Sequence, residues 1–402
     1  MTSAELCGSQ KITLDSVSKI IDSRLKMCRK SHWSINMAGL LQNAVMAVDI
    51  GTTNIEAVLF DSEGKTLEYK CVSNDQKKFG GDVALRICAA RDGHLDEMRV
   101  MVLSQICGLL TGFFTGRPDI RITDVIITGN TTMLHILQGF DCSGLGEYPF
   151  TPVSLEERFT TTYELTGDFL KADETDPELM QIFPDIPVMI LPGISTYVGA
   201  DIFAGIVAMD MYESPDINML IDLGTNAEIV LGGRKKLLVT SAAAGPAFES
   251  GRIFKGTEGI EMIHRLRELE VIDENGTMTE EYFEQPAQKN IRRLQLAKAA
   301  IYAAISILLK DYGLTAEEVA HIYISGNFGN NVNENACIGV GMLPEGFRGR
   351  IKAAGNTALS GCYKYHCSVD NEKTKGILSA AKEVVLANDP SFNDLLIASV
   401  NL

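Results

Sequence analysis

Two short segments of this chain carry residue types suited to gripping a phosphate. Residues 46–61 read MAVDIGTTNIEAVLFD and residues 219–233 read MLIDLGTNAEIVLGG. In each, an apolar run ends in Asp, a Gly-Thr turn containing Asn follows, and a second apolar run begins. Gly51 and Gly224 let the turn adopt backbone angles that other residues avoid. Such a turn exposes several N–H groups with little side-chain obstruction, and a concave set of these donors binds phosphate oxygens. Gly51, Thr52, Thr53 and Asn54 form one candidate cradle; Gly224, Thr225 and Asn226 form the other. Asp49 and Asp222 sit just before the glycines, at strand ends. A carboxylate there can hold Mg2+ through water, because Mg2+ gives up its hydration reluctantly. The ion offsets charge on the β- and γ-phosphates and polarises the attacked phosphorus. Asp49 and Asp222 are therefore the candidate metal-site and catalytic carboxylates.

Other residues join them. Asp201 starts a helix near the expected crevice and is a candidate for positioning the attacking water. Glu249, in SAAAGPAFESGRIF, is a second such candidate, although a carboxylate at a helix start is also stabilised by the helix dipole. Gly245, in the same segment, is a further binding candidate. Gly326 and Asn327, after the strand IYIS, suit close approach of a backbone to adenine or ribose. Lys298 lies on a helix and is expected to be exposed rather than to reach a nucleotide.

The elements that must position these residues occur twice. Besides the Asp-Gly-Thr pair, residues 124–137 (DVIITGNTTMLHIL) and 320–338 (AHIYISGNFGNNVNENACI) both run a strand into Gly-Asn. A weaker third pair is PGISTYVGADIFAGIVA (192–208) and AAGNTALSGCYKY (353–365). Both are a strand end, a Gly-rich turn and a helix of small residues. Three elements repeated in one order are what a duplicated α/β domain requires. Helices are predicted over 96–114, 200–211 and 294–312, the last stopped by a Gly. The resulting organisation is an N-terminal helical extension (1–44), a first lobe (45–212) with an insertion near 154–185, a second lobe (213–386) with a short insertion near 255–290, and a C-terminal tail (387–402).

Composition narrows the partners. The formal net charge is −16, and an acidic surface repels nucleic acid and anionic lipid. The N-terminus lacks a secretion signal, and the apolar stretch around 299–309 is too short to span a membrane. Nine cysteines, scattered and with no Cys-x-x-Cys, read as reduced thiols of a cytoplasmic protein rather than an iron–sulfur site. The six histidines form no metal-ligand spacing, and His135 and His264 read as helix packing or surface residues.

With these elements in place, the chain resembles the superfamily of acetate and sugar kinases, heat-shock chaperone ATPases and actin. Within it, the chain is most similar to the C-terminal ATPase domain of the reductive activators of corrinoid proteins. The segments carrying the resemblance include VDIGTTNIEAVLFD (48–61), FGGDVALRI (79–87), ITGNTTMLHILQGFD (127–141), YPFTPV (148–153), LPGISTYVGADIFAGI (191–206), LIDLGTNAEIVL (220–231), AAAGPAFESG (242–251), SGNFGN (325–330) and AGNTALSG (354–361). The resemblance runs from about residue 45 to 386. It implies an α/β protein of duplicated actin-like (ribonuclease H-like) ATPase fold, two lobes around a nucleotide cleft, with ATP and Mg2+ as ligands. It implies that ATP hydrolysis supports reduction of a corrinoid methyl-transfer protein from Co(II) to Co(I). Full-length activators carry an iron–sulfur domain; here residues 1–44 stand in its place without the cysteines for a cluster. No iron–sulfur cluster is expected, so a separate ferredoxin-like protein supplies the electron or the chain performs only the ATP-driven half. Related activators are commonly dimeric, and a homodimer is possible. Two other readings use the same residues: a small-molecule kinase of the same fold, and a nucleotide-sensing partner that binds ATP without turnover.

Overall fold

A computed structural model describes residues 41–170, 185–245, 257–282, 285–326 and 332–402. The calls on residues 1–40, Glu249 and Asn327 lie outside the described residues. The first sheet begins with a meander of β1 (Gln42–Ile50), β2 (Asn54–Phe60) and β3 (Thr66–Ser73), all antiparallel neighbours. After α1 (Val83–Ala89) and α2 (Leu95–Gly116), the chain returns as β4 (Ile120–Gly129), parallel to β1. Helix α3 (Thr131–Gln138) follows. Next come β5 (Arg158–Thr161) and β6 (Pro187–Ile190), the latter parallel to β4, giving the order β3-β2-β1-β4-β6-β5. Thus part of the segment expected as an insertion at 154–185 forms an edge strand.

Helix α4 (Ala200–Ala208) leads into the second sheet, where the same pattern recurs. β7 (Asn218–Leu223), β8 (Ala227–Gly233) and β9 (Lys236–Ala242) form a meander. Two helices, α5 (Thr257–Glu268) and α6 (Gln285–Tyr312), precede β10 (His321–Gly326), which is parallel to β7 and to β11 (Ile351–Gly355). Helix α7 (Thr357–Ser368) follows β11, and β12 (Ala381–Glu383) closes the far edge beside β9. The order β11-β10-β7-β8-β9-β12 repeats the core of the first sheet. Helix α8 (Phe392–Ala398) completes the chain and packs on α6. The predicted Gly stop of α6 is Gly313, at φ 81°, whose N–H reaches the Leu309 carbonyl at 2.9 Å.

Strand alternation divides the second sheet between two cores. Ile221, Ile229 and Leu231 pack with α6, whereas Leu220, Val230 and Val239 join the core of the first lobe through α4 and α7. The two lobes therefore share apolar packing along the α4–α7 pair. These helices touch backbone to side: a Cβ placed on Gly361 would lie 2.0 Å from the Ala204 carbonyl oxygen. The run Val83–Gly116 is long and apolar enough to cross a membrane by length and composition, but Met98, Val102, Leu110 and Phe113 are buried in the first core. The sequence reading placed a helix over 96–114 but named 299–309 as the apolar stretch, although residues 100–116 carry no charged side chain.

The carboxyl ends of β1, β4, β7, β10 and β11 converge, and in open α/β sheets this is where ligands bind. Gly129, at the end of β4, approaches so closely that a Cβ there would lie 2.7 Å from the Ile50 carbonyl oxygen. Gly361→Ala should push α4 and α7 apart and destabilise the protein by about 1–3 kcal/mol, the usual range for overpacking. Urea unfolding of the variant against the parent chain measures this.

Candidate functional site

The convergence encloses a cavity of about 360 Å³. Both Gly-Thr turns line it: Gly51, Thr52, Thr53 and Asn54 from the first lobe, and Gly224, Thr225 and Asn226 from the second. Asp49, Asp201, Asp222 and Gly326 line it as well. The turns are thus opposite walls of one crevice. Gly245, at φ 70°, is not among the lining residues, so the structure separates it from the other candidates. Lys298 is also elsewhere: it is buried, and its ammonium donates to the Asn401 carbonyl. Burial lowers its pKa to about 8. The expectation of an exposed helix lysine fails because the C-terminal residues cover that face of α6.

Two carboxylates the sequence reading missed complete the wall. Asp49 pairs in register with Glu56 across the β1–β2 hairpin, and Asp222 pairs with Glu228 across β7–β8. Glu56 and Glu228 both line the cavity. The signal was present: each Gly-Thr turn is followed by a Glu, in GTTNIE and GTNAE. Directly opposed residues put their side chains on the same face of a hairpin, so each Asp brings a Glu with it.

The crowding shows in the acidities. Burial, then Asp201, Glu56 and Asp222, push the Asp49 carboxyl well above the ordinary carboxylate range, against a hydrogen bond from Asn356. Burial and the Asp222 charge raise Asp201 to about 7. Burial, followed by Asp201 and Asp222, raises Glu228. Donors from the second lobe hold the group together. Asn356, which caps α7 by accepting from the Leu359 N–H, donates to Glu56 at 3.0 Å and reaches Asp49 at 3.4 Å. Ser325 donates to Asp222 at 2.8 Å, and Ser241 to Glu228 at 2.9 Å. Asn130, the cap of α3, donates to the Thr52 hydroxyl at 3.1 Å. Asn130 and Asn356 each follow a glycine at a strand end; the sequence reading noted the Gly-Asn step at 129–130 as part of the repeat but named only Gly326 and Asn327 as binding candidates.

Gly326 takes φ 81°, and a Cβ there would lie 2.6 Å from the Leu223 carbonyl oxygen and 2.8 Å from Asp222 Oδ1. Its glycine thus protects the Asp222 carboxylate position. Among the described residues, no three His, Cys, Asp or Glu side chains are arranged to ligate a bare ion. The carboxylates suit a hydrated cation that takes its remaining ligands from a phosphate chain, as Mg2+ does. His135 is a packing residue: its Nδ1 meets the Thr131 carbonyl at 2.8 Å, and its Nε2 accepts from the Val153 N–H at 3.0 Å.

Two family models match this chain, the RACo middle region over residues 44–214 and the C-terminal domain of RACo, the ASKHA domain, over 216–264 and 265–402. The chain belongs to the RACo family. ASKHA denotes the acetate and sugar kinase, heat-shock chaperone and actin fold, which agrees with the duplicated sheets. A corrinoid activation enzyme of Eubacterium limosum, RamQ, is 27% identical, covering 86% of this chain and 68% of the relative. A reductase of the Co(II) methylated amine-specific corrinoid protein from Methanosarcina barkeri is 21% identical, over 89% of this chain and 76% of the relative. The solved structure of a reductive activator for a corrinoid, iron–sulfur protein superimposes with a TM-score of 0.78 at 24% identity, covering 91% of this chain and 67% of that one. The fold is that of the family member.

A raised carboxylate pKa ties the site to folding stability. Asp201 keeps its proton in the folded chain up to about pH 7, while the unfolded chain loses it from its ordinary value of 3.8. Between those values the folded state binds more protons, so stability falls as pH rises, by at most about 1.4 kcal/mol per pH unit from this group. Asp49, Glu56, Asp222 and Glu228 face the same space and remain in place. Asp201→Asn should flatten the slope between about pH 4 and 7. Urea midpoints across that range, without nucleotide or divalent cation, measure it.

Proposed function

We propose that the chain binds MgATP between its two lobes and uses ATP turnover to support reductive activation of a corrinoid protein. The observation that carries this reading is the single cavity lined by both Gly-Thr turns and by Asp49, Asp201 and Asp222. Backbone N–H groups of the first turn and of the second grip the phosphate chain from opposite sides. Bound Mg2+ would neutralise charge on the phosphates, and Asp49 and Asp222 are the residues to hold it, through water. Asp201, with a pKa of about 7, is suited to orient the attacking water and accept its proton near neutral pH. Glu56 and Glu228 reinforce the negative field that favours a cation. Gly326 lines the cavity beside Asp222 and, lacking a side chain, leaves that carboxylate undisturbed.

A ligand held by both lobes favours their closure. Moving the balance from mostly open to mostly closed takes about 5.5 kcal/mol of differential affinity, and phosphate contacts made on both walls at once can supply it. Hydrolysis removes part of those contacts and relaxes the lobes. The names of the relatives direct the output to a corrinoid protein whose cobalt has reached Co(II). One electron converts Co(II) to Co(I), and we assign its delivery to a separate ferredoxin-like protein.

Phosphate release should rise when a Co(II) corrinoid protein is added. A requirement for a small acceptor, with ADP formed only in its presence, would instead mark a kinase. Asp222→Ala should lower phosphate release by at least about 100-fold, the scale of losing one electrostatic element of a transition-state site, while circular dichroism stays unchanged. Parent-level turnover in that variant would remove Asp222 from the chemistry.

A further inference from the structure

The first Gly-Thr turn is held from behind by one buried polar cluster. Asn74, Gln76 and Arg86 have no exposed surface. Asn74 Nδ2 donates to the Gly51 carbonyl at 2.9 Å, Arg86 Nη2 to the Thr52 carbonyl at 2.5 Å, and the Asn74 backbone N–H to the Thr53 carbonyl at 2.8 Å. Three successive carbonyls of the turn are thus engaged by two residues. Peptide planarity then fixes the other side of each unit, because the carbonyl of one residue and the N–H of the next point in opposite directions. The N–H groups of Thr52, Thr53 and Asn54 therefore point away from the carbonyls that Asn74 and Arg86 engage, and all three residues line the cavity.

We propose that Arg86, acting with Asn74, is a positioning residue that preforms this turn as a phosphate cradle. The proposal rests on the nucleotide reading above. Arg86 is itself braced: Nε donates to the Gly80 carbonyl at 3.2 Å and Nη1 to Gln76 Oε1 at 3.3 Å, while Gln76 Nε2 donates to the Met98 carbonyl at 2.9 Å. The cluster therefore links the turn to α2 in the core of the lobe. A planar fork is needed to reach three acceptors in fixed directions, and a lysine ammonium on a flexible stem does not reproduce it. Preorganised donors keep their aim when the phosphate arrives, so no reordering of the turn opposes binding.

Calorimetry separates the roles. ATP and adenosine, each with Mg2+, are titrated into the parent chain, Arg86→Lys and Arg86→Met, with folding checked by circular dichroism. Both variants should bind adenosine like the parent and lose ATP affinity by about 10- to 100-fold, the range for a hydrogen bond involving a charged group. Arg86→Lys carries the test if Arg86→Met does not fold, because it retains the charge and lacks only the fork. Parent-like ATP affinity in Arg86→Lys, or equal losses for adenosine and ATP in a folded variant, overturns the proposal. A parent chain that binds neither ligand overturns the nucleotide reading itself, which the variants alone cannot do.

Discussion

Five carboxylates face one small cavity, and the fold leaves them no room to part. Asp49 and Glu56 are fixed opposite each other by the β1–β2 register, and Asp222 and Glu228 by that of β7–β8. Asp201 enters at the first turn of α4. Like charges out of bulk water raise each other's pKa or recruit a cation. Burial first, and then the neighbouring carboxylates, raise Asp49, Asp201 and Glu228. Ser325, Ser241 and Asn356 relieve part of the repulsion by donating hydrogen bonds. What remains is an unfavourable field that a hydrated cation and a phosphate chain together would offset. Charge alone would repel a triphosphate, so the N–H groups of the two Gly-Thr turns are needed as the complementary surface.

Duplication supplies the two walls but not two equal halves. In the first lobe the turn rests on Asn74 and Arg86, which reach back to α2 through Gln76. In the second, the Gly224 N–H is taken up by the Asn226 carbonyl at 2.9 Å, and Asp222 is held by Ser325. Ser325 in turn shares a hydrogen bond of 2.7 Å with Thr357, the first residue of α7. The second Asp is therefore tied to the same helix whose cap, Asn356, reaches across to Glu56 of the first lobe. A shift of α7 would act on both walls together.

The repeat made the architecture legible because it is written in strand ends, and a strand that ends in Asp-x-Gly-Thr identifies its own turn. Glu56 and Glu228 were less visible. Alternation along a strand gives each residue a face, but only the other lobe shows that this face looks into a crevice rather than water. Asn356 presented the ordinary signature of a helix cap, which it is, and its free amide found an inter-lobe partner only in three dimensions. Edge strands β5 and β12 are short and lack an apolar run, so period-2 patterning says little about them. Lys298 was misread for a related reason: helical periodicity does not reveal that the last residues of the chain fold over α6 and accept from its ammonium.

On the proposed reading the nucleotide fills this cavity, and the corrinoid protein would meet an outer surface. A space of about 360 Å³ lined by acidic side chains is at the lower end of small-molecule pockets and is of a size for one ligand. On that reading, an effect of hydrolysis would have to travel from the cavity to a surface through elements that both lobes share. The α4–α7 pair is the shared packing between the lobes, and it is close at Gly361, where the Ala204 carbonyl leaves no space for a methyl group. Asn356 joins the start of α7 to the first-lobe carboxylates Glu56 and Asp49, so a cation or phosphate bound there would act on that helix through one residue. Coupling between the cavity and an outer surface then requires only that α7 hold different positions with triphosphate and diphosphate bound.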